Sequence, residues 1–361
     1  MKKFILKLIP FLAIPVIIIA INFKVDPANL FNGNYEMGIA NYLTAGYNVT
    51  NVVNYDERLL QKHFIESMVV PPTEIVLGSS RIMQLHKTNF NEPNFINNGV
   101  SGATIEDEMA IYDLYEKKGY KIKKVILDLD PWMLNDNHNQ TRWRTLENGY
   151  SDLLSRVDKK SPVYSRQSFL YKYKKYSELI SVSYFKTSIH YLINGINNNY
   201  TPTKQGVNDG FTRLTDGSIF YDLRYRNASA AEIALKANEC ITEDPVYSLG
   251  GFKGLSLHYQ RLLFNFVEYM QGQGVEVEFY LSPFHPVVYS FFMKNRAYHN
   301  VLMAEEYFRA LAVKQNIKVY GSYNPDAYKF DNTFFYDGLH CNEKAVRLLL
   351  SKPSTQKRES Y

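Results

Sequence analysis

The stretch from Ile75 to Leu85, IVLGSSRIMQL, decides how the rest of the chain is read. A β-forming apolar run that ends on glycine, two serines and an arginine reads as a buried strand turning into a helix start. A serine in that place can be plain capping chemistry, its hydroxyl accepting a first-turn N–H. It can also be how a fold presents a nucleophile. The other strand ends decide between these.

Working outward, helical and β patterns alternate. YDERLLQKHFIESM places Leu59, Leu60, Phe64 and Ile65 at helical spacing, and strands are expected over 73–78, 94–99 and 125–129. Helices are expected over 105–118, 255–271 and 303–314, with further strands in VEVEFYLSPFHP and IKVYG. Apolar β runs separated by helices predict an α/β three-layer sandwich with a mostly parallel central sheet. In such sheets functional groups gather at the carboxyl ends of strands. Those ends are GSSR at 78–81, NNGVSGATIEDE at 97–108, DLDPWMLND at 128–136 and LSPFHP at 281–286. Near the C-terminus, FFYDGLHCNEKAV sets Asp337 and His340 three residues apart.

Nucleophilic acyl chemistry needs a hydroxyl, a base to take its proton, a carboxylate to orient the base and N–H groups aimed at the oxyanion. Ser80, His340 and Asp337 supply the first three. The Ser80 amide and that of Gly102, where glycine permits close approach, supply the fourth. The structural alternatives are Ser80 as a helix cap and His340 as a turn residue satisfied by Asp337.

This set resembles the SGNH/GDSL hydrolase superfamily. Gly78-Ser79-Ser80 is similar to its first block, with Ser79 where many members have Asp. Asn98 to Thr104 is similar to the second block, with Gly102 at the oxyanion glycine. Asp337-Gly338-Leu339-His340, followed by Asn342, matches the last. In the third block Asp128 stands where the family has Gly and Asp130 where it has the oxyanion Asn. A carboxylate there would repel the charge it should stabilise, and losing one donor costs about 10²–10³ in rate. Asp130 is therefore expected to turn away, carry a proton or bind something else, with Asn135 or Trp132 covering the gap. Arg81, Trp132 and His285 are the candidate substrate contacts, with a carboxylate partner as the alternative for Arg81. No cofactor is expected, and Asp128 with Asp130 completes no metal site.

The resemblance covers roughly 73–134 and 275–349, and implies a hydrolase-like domain over 73–349. Residues 136–254, where the rhythm breaks, are expected to form an inserted helical cap. The segment 24–72 is expected to be a connecting segment and first helix. Tyr164, Tyr171, Tyr173, Tyr176, Tyr184 and Tyr191 fall at helical spacing within the insertion. That spacing favours cap packing over sugar stacking, and Lys172, Lys174 and Lys175 read as a solvated face.

Before all this comes MKKFILKLIPFLAIPVIIIAINFKVDP, where only Lys7 is charged between Phe4 and Phe23. About 20 apolar residues suffice to span a bilayer. A single-pass anchor over 4–23 is expected, with Lys2, Lys3 and Lys7 holding the N-terminus in the cytoplasm. The alternative is a signal peptide, although no small-x-small cleavage site precedes Lys24. A closer likeness is then to membrane-anchored SGNH-like proteins of bacterial envelope modification. It implies an extracytoplasmic glycopolymer and acyl donor as substrates and a multi-spanning O-acyltransferase as partner. Three functions compete: acyltransferase or esterase on such a polymer, generic membrane-tethered lipid or small-ester hydrolase, and inactive scaffold binding polysaccharide or the acyltransferase. The formal charge of +5 is dispersed, without basic blocks interleaved with stacking aromatics, so no nucleic-acid partner is expected. Two cysteines, Cys240 and Cys341, leave a disulfide open.

Overall fold

The computed structural model describes residues 2–31, 33–90, 94–158, 173, 175–242 and 246–351, side chains of 2–12, 246 and 247 excepted. Its strands are β1 (Asn48–Thr50), β2 (Glu74–Gly78), β3 (Phe95–Gly99), β4 (Lys124–Asp128), β5 (Thr201–Thr203), β6 (Thr212–Arg213), β7 (Ile219–Phe220), β8 (Glu276–Leu281) and β9 (Lys318–Gly321). The longer helices begin with α1 (Lys2–Val25), α2 (Tyr35–Thr44), α3 (Glu57–Ser67), α4 (Ile105–Lys117) and α5 (Glu147–Val157). They continue with α6 (Val182–Asn194), α7 (Ala230–Thr242), α8 (Leu257–Gly272), α9 (Pro286–Lys294), α10 (His299–Gln315) and α11 (Glu343–Ser351).

The architecture is α/β. Five strands pair in the order β3-β2-β4-β8-β9, every pairing parallel. Alternate residues feed two cores, which is why the strands read as unbroken apolar runs. Ile75, Leu77, Val125, Leu127, Val277 and Phe279 pack with Met109 of α4 and with Leu263 and Phe266 of α8. Val76, Ile126, Tyr280 and Tyr320 pack with Ala345, Val346 and Leu349 of α11.

After β2 the chain steps to one edge for β3, then returns to β2's other side for β4. That reversal opens a crevice between the carboxyl ends of β2 and β4, where open α/β sheets take ligands. Gly78 closes β2 at φ +153°, and a Cβ there would lie 2.3 Å from that of Asp128. Glycine is what lets the two strand ends meet. The helix expected after GSSR is a three-residue 3₁₀ turn, Ser80–Ile82, capped by Ser79, whose Oγ accepts the Arg81 N–H at 3.1 Å.

Residues 136–254 are not simply a helical cap. Here α5 packs against α4, and β5, β6 and β7 join β1 in an antiparallel sheet ordered β5-β1-β6-β7. Within the segment 24–72, expected to be a connection and a first helix, α2 and β1 precede α3. Strands of two or three residues carry too little alternation to be seen, and β1 finds its partners far along the chain. Tyr184 is buried, its hydroxyl donating to Asp26 Oδ1 at 2.8 Å, and Tyr191 accepts from Asn54 Nδ2 at 2.9 Å. Tyr173 and Tyr176 are exposed. Tyr164, Tyr171, Lys172 and Lys174 lie outside the described residues.

The end of α1 rests on the segment leading into α6: Asn22 Nδ2 donates to the carbonyls of Glu178 and Leu179, and Ser188 Oγ donates to Asn22 Oδ1. Among the described residues no helix is long and apolar enough to cross a membrane, so the anchor expected over 4–23 gains no support here. Both cysteines are free thiols.

Gly78→Ala is expected to destabilise by about 2 kcal/mol or more, the range of core overpacking, because a methyl group would press on Asp128. A fall in the urea midpoint at unchanged m checks it.

Candidate active site

The turn after β2 leaves Ser80 half-buried at the crevice. Its Oγ lies 2.9 Å from His340 Nε2. Imidazole Nδ1 lies 2.8 Å from Asp337 Oδ2 and 3.0 Å from Oδ1. Asp337 reaches its neighbour because both sit on one tight turn, where Asp337 Oδ1 also accepts the amides of Leu339 (2.8 Å) and His340 (2.9 Å). Burial would raise the Asp337 pKa. The charge and hydrogen bond of His340, with those two amides, outweigh it and hold the carboxyl down at about 2. A carboxylate at Nδ1 puts the ring proton on that nitrogen and leaves the Nε2 lone pair toward the hydroxyl.

The loop is braced from outside. The His285 N–H donates to the Gly338 carbonyl at 3.1 Å, and the Tyr336 N–H to the His340 carbonyl at 2.9 Å. Helix α7 of the insertion lies against Gly338, where a Cβ would meet Cys240 Sγ at 2.8 Å. Asn342 caps α11: its Oδ1 accepts the amides of Lys344 and Ala345.

Gly102, at φ +57°, sits in the loop after β3. The Val100 N–H donates to Gly78 O at 3.0 Å, so this loop runs beside the Ser80 turn. Glu57, at the start of α3, accepts both the hydroxyl (2.9 Å) and the amide of Ser101. The Trp132 indole N–H donates to Ala103 O at 2.8 Å. The amides of Ser80 and Gly102 donate to no group among the described residues, which leaves two N–H groups for a ligand oxygen.

Asp130 does not confront an oxyanion with a bare charge. Its Oδ1 lies 2.6 Å from Arg81 Nη1, and both side chains are sealed from solvent. The rest of the guanidinium is spent on protein as well. Nη2 donates to the carbonyls of Ser282 (2.5 Å) and Pro283 (3.0 Å), Nε donates to Leu339 O at 3.2 Å, and the plane lies 4.0 Å from the Phe284 ring centroid. Asp128 Oδ2 accepts the Ser79 amide and hydroxyl, both at 3.2 Å. Burial, then the charge of Asp130, pushes Asp128 well above the usual carboxylate range despite Arg81. Burial raises Asp130 as well, against the charge of Arg81.

Of the candidate substrate contacts, Arg81 takes the carboxylate partner that is its alternative, and Trp132 and His285 turn inward. Arg81 is a buried counterion of Asp130. Trp132 is core, holding the Gly102 loop through Ala103. His285 is fully buried as the cap of α9, its Nδ1 accepting the Val287 N–H at 3.2 Å. Nor does Asn135 cover the oxyanion gap: it is buried, donating to Ser248 O and accepting from the Asn137 amide. Each of these residues sits at the right strand end, but pattern does not say which way a side chain turns. Among the described residues no group of three or more His, Cys, Asp or Glu is arranged to hold a metal ion. One neighbour of the site went unread in the sequence. The Tyr221 ring, from the insertion, lies 6.0 Å from that of His340, and no motif marks it. No sequence family matches the chain, and no curated protein is similar enough to align with it.

Arg81→Met is expected to cost about 3–5 kcal/mol, because it strands the Asp130 charge in the interior. Pairing it with Asp130→Leu should restore most of that loss in a denaturant double-mutant cycle. His285 supplies a pH test. Burial lowers its pKa from 6.5 to about 4, and protonation would remove the lone pair that caps α9. Between those values the unfolded chain binds a proton that the native state refuses, so stability falls as pH drops through this window and is unaffected above it. The loss should reach about 2–3 kcal/mol near pH 4.5 and be absent from His285→Gln, as read from unfolding midpoints at both ends of the window.

Proposed function

We propose that this protein is an SGNH-type serine acyltransferase or esterase that works through an acyl ester on Ser80. The observation that carries the reading is the unbroken line from Asp337 through His340 to Ser80, at 2.8 and 2.9 Å.

In this reaction His340 Nε2 takes the Ser80 proton as Oγ attacks the ester carbonyl carbon of the donor. The carbonyl electron pair moves onto oxygen, where the amides of Ser80 and Gly102 receive it. Collapse expels the donor's alkoxide, which leaves with the proton held on His340. A second hydroxyl, from water or from a sugar, then repeats the cycle in reverse and frees Ser80. Asp337 holds the imidazole in the required tautomer and balances the imidazolium.

Substrate and location follow from the sequence likeness. The group transferred is an O-acyl group, taken from or placed on a hydroxyl of an extracytoplasmic cell-envelope glycopolymer. The domain is held outside the cytoplasmic membrane by the apolar run Phe4–Phe23, beside a multi-spanning O-acyltransferase. A second reading, the inactive scaffold, draws support from Asp130 in the place of the family Asn. The Arg81 pairing weakens that support, because it cancels the charge that would oppose catalysis.

A fluorophosphonate should label the protein at Ser80, and Ser80→Ala should abolish both the label and hydrolysis of p-nitrophenyl acetate. An unlabelled wild-type protein would leave the scaffold.

A further inference from the structure

The SGNH third block normally supplies a side-chain donor to the oxyanion, and here that position is an aspartate held by Arg81. The pocket retains two free backbone amides and lacks the third donor. A tyrosine from another part of the chain, Tyr221, has its ring 6.0 Å from that of His340.

Tyr221 follows β7, in the insertion. The hairpin before it is docked on the elements that carry Ser80. The Ile219 N–H donates to Met83 O at 2.9 Å, Gln84 Nε2 donates to Ile219 O at 3.0 Å, and the Asn97 N–H donates to Asp216 O at 2.7 Å. The ring is wedged against Tyr336 at 4.7 Å between centroids, one residue before Asp337, and against Phe211 at 5.8 Å. Met83, Ile219, Tyr221 and Tyr336 form a small apolar cluster of their own beside the triad. These contacts fix the ring. The hydroxyl, by contrast, hydrogen-bonds to no group among the described residues.

Two carboxylates act on that hydroxyl: Asp337 from the histidine side and, more weakly, Glu57, which holds Ser101 beside Gly102. Burial foremost, and then these charges, raise the Tyr221 pKa well above the ordinary phenol value, so it keeps its proton and remains a donor.

We propose that the Tyr221 hydroxyl is the third donor to the reacting carbonyl oxygen, replacing the side-chain amide that Asp130 cannot supply. The inference rests on the Ser80 ester reading. A tyrosine contributed by the insertion would tie oxyanion stabilisation to docking of the 212–220 hairpin.

The test is steady-state p-nitrophenyl acetate hydrolysis and fluorophosphonate labelling of wild type, Tyr221→Phe and Tyr221→Leu. Tyr221→Phe keeps the ring and its packing. It should lower kcat about 10²-fold with KM within about twofold, slow Ser80 labelling, and leave the thermal midpoint unchanged. Tyr221→Leu should lower both activity and stability. Wild-type kcat in Tyr221→Phe overturns the inference and leaves the Ser80 reading intact. Absence of turnover and of labelling in the wild type overturns both.

Discussion

One guanidinium organises the crevice. Arg81 follows directly on Ser80, and a buried guanidinium must satisfy its donors inside the protein or pay heavily for burial. It does so by reaching Asp130 beyond β4, two carbonyls beyond β8 and the carbonyl of Leu339 beside His340. Loops from three strand ends and the C-terminal turn are thereby held at the reach of a single side chain. The short contact between Ser80 and His340, which are 260 residues apart in sequence, sits just in front of this staple.

That arrangement explains the carboxylate at position 130. An asparagine at 130 would leave the Arg81 charge without a counterion. An aspartate there completes the ion pair, and the pair exists because Arg81 is buried rather than presented to substrate. Beside it, the missing Cβ of Gly78 admits Asp128, which accepts the Ser79 hydroxyl and amide. Asp128 and Asp130 thus belong to one buried polar network.

The insertion bears on the site as much as the sheet does. Its hairpin docks on the segment after Ser80, α7 closes on Gly338, and Tyr221 sits beside His340. The polar floor comes from the five-stranded sheet and one aromatic wall from the insertion. Changes in the insertion can therefore reshape the surroundings of His340 without touching Ser80, Asp337 or His340.

The sequence by itself determined the alternation of helices and strands, the glycine turn at 78–81 and the Asp337–His340 turn. Each is local: buried parallel strands write continuous apolar runs, and a carboxylate three residues from an imidazole can meet it within a single turn. The tertiary structure alone decided that Arg81, Trp132 and His285 face inward, that Asp130 has a cationic partner, that β1 pairs with strands of the insertion, and that Tyr221 stands at the site. Orientation and long-range pairing depend on where distant segments land. Two-residue strands and a lone tyrosine leave no periodic trace from which that can be read.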